Sequence, residues 1–282
     1  MASNSVLNPV KDRGVLNGFS NLFANENHHW WGTWQWVIQV LIWLAIINGM
    51  LATVVLTAPK VELAQARMEI DEARGVVARK SLEQTALMVF FIFSGLAPAV
   101  GVVILGQDAI LQERQTGTAA WVLSKPVARA AFLLSKLSAD ALGVLVTMVL
   151  AQGLVAYFIF QVGIGMELGI PHFLAGLGLI YLLLIFYLSL TLMLSTLFRS
   201  RGPVIGIPMV LVFGNQLAGL APALAKTMPW NLVMDLGPQQ PALAVLLVQG
   251  QPLPTVTPIL GTAVLTVIFI AVALFKFRRE EF

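Results

Sequence analysis

Apolar positions in this chain fall in long continuous blocks separated by shorter polar intervals. About 20 consecutive apolar residues, rising 1.5 Å each, cross a bilayer as one helix. The gaps between charges place six such spans, at residues 36–58, 85–107, 139–160, 172–198, 203–225 and 255–275. Lipid offers the backbone no hydrogen bonds, so each span must be helical. The unbroken aliphatic runs exclude the alternating pattern of an outer-membrane barrel. The predicted fold is an all-α membrane protein with one transmembrane domain over residues 1–282.

The polar intervals carry patterns of their own. Residues 59–84 contain Leu63, Ala66, Ile70, Ala73 and Val77 at three- and four-residue steps, one helical stripe. Arg67–Asp71 and Arg79–Glu83 are i,i+4 pairs of opposite charge. Two readings fit this block: a solvated helical extension of the first two spans, or a helix that docks on a partner subunit. Within residues 1–35, Phe19, Leu22, Phe23, Trp30 and Trp31 mix with Asn, His and Glu. Four of the seven tryptophans, Trp30, Trp31, Trp34 and Trp36, fall together there. Indole favours the headgroup layer, so this segment is expected as an interfacial elbow helix that turns into the first span. His28 and His29 are adjacent and project from different sides of a helix, which argues against metal ligation. Residues 226–254 are proline-rich, and the apolar run Pro241–Val248 is too short to cross. A re-entrant or interfacial hairpin is expected.

Composition agrees with this picture. The chain is 58% hydrophobic and 11% charged, and its mean hydropathy is +0.84. It has no cysteine, so it has neither a disulfide framework nor a thiolate metal site. The pI of about 9.4 reflects a net charge of only +3, which reads as an orientation signal and not as a nucleic-acid surface. Six spans put both termini on one side. That side holds Lys11, Arg13, Arg114, Lys125, Arg129, Lys136, Arg199, Arg201, Lys276, Arg278 and Arg279; the other holds Lys60, Arg67, Arg74, Arg79, Lys80 and Lys226. The positive-inside rule therefore expects cytoplasmic termini in a plasma (inner) membrane. The residues before Trp30 are polar, and the first apolar run lacks the form of a cleaved signal peptide.

The interval between the second and third spans, Gln107–Lys136, is too polar for lipid and too apolar for a free linker. Ala109, Ile110, Leu111, Ala119, Ala120, Val122 and Leu123 flank a polar middle. Gly117 favours a helix stop and Pro126 forces a second break. Two short amphipathic helices with a corner between them are expected. The succession Glu113, Gly117-Thr118, Leu123-Ser124, Pro126-Val127 and Arg129 resembles the first cytoplasmic loop of type-2 ABC exporter permeases. The tryptophan-rich elbow, the six-span layout, the turn Phe198-Arg199-Ser200-Arg201-Gly202 and the terminal Lys276-Phe277-Arg278-Arg279 fit the same resemblance.

The resemblance implies a coupling helix that docks on a separate ATPase. Glu113 and Arg114 would contact that partner. Gly117 and Thr118 would form the turn that positions the contact, and Pro126 and Arg129 would fix the return into the third span. Arg199 and Arg201 would form a second, smaller contact; plain retention of topology is the other reading of these arginines. A second copy or paralogue of the permease would complete a twelve-helix pathway. A phosphate-binding loop needs a Gly-Lys pair so that backbone N–H groups and the lysine meet the phosphates, and the chain has none. ATP and magnesium are thus expected in partner subunits, with no cofactor in this chain and no enzymatic activity of its own.

Few polar residues lie inside the spans. Asp140 sits one turn from Lys136, where an i,i+4 ion pair and a proton-relay role are the two readings. Span five contains Pro208, Asn215 and Gln216; the amides either bond between helices or line the route. Pro98 is expected to bend span two. An ATP-independent carrier or channel would show an inverted repeat, and none is visible. An intramembrane enzyme would need an acid–base or metal cluster, which the three histidines do not make. A non-transporting assembly subunit fits the sequence as well.

Overall fold

The computed structural model describes residues 14–66, 72–214, 227–237 and 240–279, and every regular element among them is helical. A short helix α1 (Phe19–Trp31) precedes α2, which runs from Gln35–Trp43 through a π turn at Leu44–Asn48 into Gly49–Ala66. Helix α3 (Glu72–Gln115) is followed by the six-residue α4 (Thr118–Leu123). Helix α5 runs through Arg129–Val144, a π turn Leu145–Leu150, Ala151–Phe158 and a second π turn Ile159–Ile164. Then come α6 (Ile170–Leu197), α7 (Arg201–Phe213), a 3₁₀ turn Pro229–Leu232, α8 (Leu243–Val248) and α9 (Thr257–Arg278).

Among the described residues, five helical segments are long and apolar enough to span a membrane: Gln35–Thr57, Arg79–Glu113, Arg129–Ile164, Ile170–Leu197 and Thr257–Arg278. They fall on the expected spans one, two, three, four and six. The described part of the expected fifth span is α7, which is apolar but 13 residues long; the remainder, with Asn215 and Gln216, lies outside the described residues. So does the expected Arg67–Asp71 pair.

Helix α6 is the centre. Its apolar window is 72% buried, against 22% for α9, so it is enclosed by protein where α9 faces out. A helix hydrophobic all round takes such a position. Ser189, Thr191, Ser195 and Thr196 return their hydroxyls to carbonyls three or four residues back, which satisfies those donors within the helix. Pro171 sits in its first turn, where a missing N–H costs nothing.

Helix α3 has 44 residues, about 66 Å at 1.5 Å per residue, roughly twice the hydrocarbon thickness of about 30 Å. It therefore projects beyond a bilayer. This changes the expected corner. The segment before Gly117 is not a separate short helix but the end of α3, because no Gly or Pro interrupts Gln107–Gln115. Only α4 stands apart. Pro98 is buried within α3, which stays helical through it, and Pro208 is buried within α7.

Among the described residues, the stretch after α7 holds the 3₁₀ turn and α8, whose Leu243, Ala244, Val245 and Val248 are buried. Asn231 holds it closed, donating from Nδ2 to the carbonyls of Met234, Gln240 and Pro241 at 3.3, 3.0 and 3.0 Å. Trp230 Nε1 donates to the Leu211 carbonyl at 2.7 Å and so ties the turn to α7.

Candidate functional site

Among the described residues, those singled out in the Gln107–Lys136 interval meet at one end of the bundle, where α1, the projecting end of α3, α4 and the start of α5 come together. Gly117 adopts φ +72° with open space around it, a left-handed turn that glycine enters without strain. It ends α3 and redirects the chain into α4. Thr118 begins α4 and shares a 2.8 Å hydroxyl contact with Thr116. Four residues on, the Trp121 amide donates back to the Gly117 carbonyl at 3.1 Å. The Trp121 side chain is 64% exposed, and Lys125 Nζ sits 3.5 Å from the ring centroid. An apolar ring held outward on a short rigid helix is a feature that sequence reading passed over. The signal was a tryptophan on the polar-flanked side of the Gly117 turn, far from the headgroup cluster.

The chain after α4 is stitched to the chain before α1. Asn17 Nδ2 donates to the Pro126 carbonyl at 2.8 Å, and the Ala128 amide donates to the Asn17 carbonyl at 3.0 Å. Gly18, at φ +84°, lies so close to Val127 that a Cβ there would approach its methyls to 3.2 Å. Arg129 then opens α5 and donates from Nη1 to the Arg278 carbonyl at 2.9 Å. Phe132 stacks on Phe277 at 5.7 Å, so the end of α9 joins the same body.

Beneath these contacts lies a three-way ion cluster. Lys136 Nζ reaches Glu26 Oε1 and Glu113 Oε1, each at 2.8 Å. The lysine side chain is 8% exposed and that of Glu113 21%. The three residues belong to α5, α1 and α3, so one ammonium fastens three elements. Glu113 Oε2 is buried with no hydrogen-bond partner. The expected Lys136–Asp140 pair gives way to this cluster. Asp140 accepts instead from Trp30 Nε1 at 2.9 Å, because α1 lies across α5 and brings two better-placed groups than the next helical turn can.

That crossing has its own steric reason. Gly143 meets the Trp30 ring so closely that a Cβ there would come within 2.8 Å of it. Trp30 is thus partly a packing residue, not solely a headgroup anchor. Trp31 donates to Asn27 and packs 5.8 Å from Trp36, while Trp34 is exposed. A cleft of about 820 Å³ opens between α1, α3 and α5, with Glu26, Glu113, Lys136 and Asp140 in its wall. His28 and His29 are exposed beside it.

The remaining predicted residues sit around this end. Arg201 Nη2 pairs with Asp108 Oδ1 at 2.9 Å, joining the start of α7 to α3. Arg199 is exposed in the turn before it. The side chain of Arg114 lies outside the described residues.

A second polar site, missed in the sequence, lies within the membrane-spanning part. Asn48 in the π turn of α2 donates from Nδ2 to Gln152 Oε1 at 3.1 Å. Gln152 Nε2 donates to the carbonyls of Thr147 and Val40 at 2.9 and 3.3 Å. Both side chains are buried. The available signal was one amide in each of two otherwise apolar runs, Ile46-Ile47-Asn48 and Ala151-Gln152-Gly153.

Two comparisons with known proteins bear on this arrangement. Residues 32–282 match a family model described as ABC-2 family transporter protein. No curated protein matches the chain.

Proposed function

The chain belongs to the ABC-2 family of transporter proteins, a membrane permease subunit of an ABC transporter, and on that premise we propose that it is the pathway-forming half of an ATP-driven exporter. The observation that carries the reading is α4: an exposed apolar ring on a six-residue helix, whose following residues Pro126 and Val127 are held by Asn17 and Gly18 and whose preceding helix α3 is fastened to α1 and α5 through Lys136. A docking element that transmits force must be exposed at its tip and rigid at its base, and this one is both.

In this reading α4 is the coupling helix, Trp121 seats in a groove of a soluble ATPase, and the α1 end of the bundle faces the cytoplasm of a plasma-membrane protein. ATP and magnesium belong to two ATPase partners, and a second copy or paralogue of the chain completes the pathway. Nucleotide binding closes the ATPases and displaces α4. Through Glu113 and Lys136 that displacement reaches α3, α1 and α5 together. Access switches because each nucleotide state favours a different arrangement of the helices. Arg199 and Arg201, in the α6–α7 turn, supply a smaller neighbouring contact, with Arg201 held by Asp108.

The test is copurification and affinity of the partner ATPase. Trp121→Ala should weaken its binding about tenfold, the size of a truncated interface aromatic, with the permease still monodisperse. Glu113→Lys, which sets two cations against each other, should abolish the complex. Retention of full affinity by both variants would refute the docking role of α4.

A further inference from the structure

At the opposite end of the bundle, α2 and the last turns of α5 enclose a groove of about 470 Å³ lined only by apolar residues, among them Ala52, Leu56, Phe158, Val162 and Gly163. Gly163 makes it narrow at the base: a Cβ there would come within 2.8 Å of Val55 on α2, so the two helices close against each other at that point. Val162, by contrast, is 85% exposed at the rim. The groove lies in the membrane-spanning parts of both helices.

Just past its end the chemistry changes. Gly165 turns the chain out of α5 at φ +68°, and its carbonyl accepts from Arg79 Nη2 at 2.9 Å. Arg79 also reaches Glu83 through Nε at 3.1 Å, yet its side chain is 60% exposed. Those two bonds use part of the guanidinium fork, which has five N–H groups. Arg79, Glu83 and Glu167 border a polar opening of about 410 Å³ at this level. Arg79 and the two carboxylates therefore stand two residues beyond the apolar slot, with Lys80 exposed beside Glu83 in a neighbouring opening.

We propose that this end of the chain binds a zwitterionic aminophospholipid, with an acyl chain in the α2–α5 groove, its phosphate on Arg79 and its primary ammonium between Glu83 and Glu167. An arginine fork fits a phosphate. Glu83 and Glu167 border the same opening and favour a headgroup whose ammonium can donate hydrogen bonds over one without such a donor. The site needs no nucleotide, so its test is separate from that of the exporter reading.

The experiment is native mass spectrometry of the purified full chain with equimolar phosphatidylethanolamine, phosphatidylcholine and phosphatidylglycerol of matched acyl chains. Phosphatidylethanolamine should be retained preferentially. Arg79→Ala should lower its adducts about fivefold, the upper range of one exposed charge contact, and remove the headgroup preference. Ala52→Phe should reduce adducts of all three lipids by filling the slot. If Ala52→Phe does not fold, Val162→Trp blocks the same groove from its exposed rim. Equal retention of the three lipids by the wild-type chain, a preference for phosphatidylglycerol, or adducts unchanged in the Arg79 and groove variants would each overturn the proposal.

Discussion

Lys136→Met is expected to destabilise the protein by about 3 kcal/mol, because it strands two carboxylates that one buried ammonium now holds together. The ammonium lies 2.8 Å from Glu26 and from Glu113 and is almost wholly removed from solvent. Breaking such a cluster from its centre is worse than replacing it entirely, since the remaining charges keep their desolvation cost and lose their counter-charge. The triple variant Lys136→Met, Glu26→Gln, Glu113→Gln should therefore recover most of the loss. Thermal or denaturant unfolding in detergent, followed for the wild type, the single and the triple variant, reads both effects. An unfolding profile for Lys136→Met that overlays the wild type would show that the cluster holds nothing together. The functional arm is separable: in the triple variant, stability returns but the charged link from α1 and α3 to α5 does not. On the exporter proposal, ATP turnover by the assembled transporter should then proceed with reduced transport per ATP.

This cluster also marks the limit of what the sequence shows. Continuous apolar runs leave no alternative to helices in lipid, so the spans at Gln35–Thr57, Arg79–Glu113, Arg129–Ile164, Ile170–Leu197 and Thr257–Arg278 were legible from hydropathy alone. Gly117 and Pro126 announced the isolation of α4, since each acts on its own backbone. The run Gln107–Gln115 was misjudged for the converse reason. Polarity ends only the membrane part of a span and leaves the helix free to continue.

Partners distant in sequence were out of reach. Lys136 and Asp140 are spaced for an ion pair, but spacing within one helix cannot reveal that α1 lies across it. The crossing depends on Gly143 receiving Trp30, and Asp140 then becomes an acceptor for the indole. Tryptophan, read by composition as a headgroup anchor, acts here as a knob in a glycine hole. The π turns were illegible too. They are irregularities in hydrogen bonding within helices whose composition is ordinary, and only the amides placed near them leave a trace.

Those amides give the second large effect. Gln152→Leu is expected to destabilise the bundle by about 2 kcal/mol, the sum of three modest interhelical and local contacts within a membrane. The substitution removes the donors to the Thr147 and Val40 carbonyls and the acceptor that faces Asn48 Nδ2. Leucine fills a similar volume, so the loss is polar and not a cavity. Asn48 Oδ1 already lacks a partner, and in the variant its Nδ2 keeps only the weaker 3.4 Å contact to the residue-152 carbonyl. The cost is thus concentrated on a buried amide left behind, which predicts its own signature. Adding Asn48→Leu to Gln152→Leu should cost nothing further, leaving the double variant no less stable than the single. A double-mutant cycle by unfolding in detergent measures this coupling directly. Additive losses from the two positions would mean that Asn48 and Gln152 act independently, and the polar link between α2 and α5 through these two amides would then have to be given up.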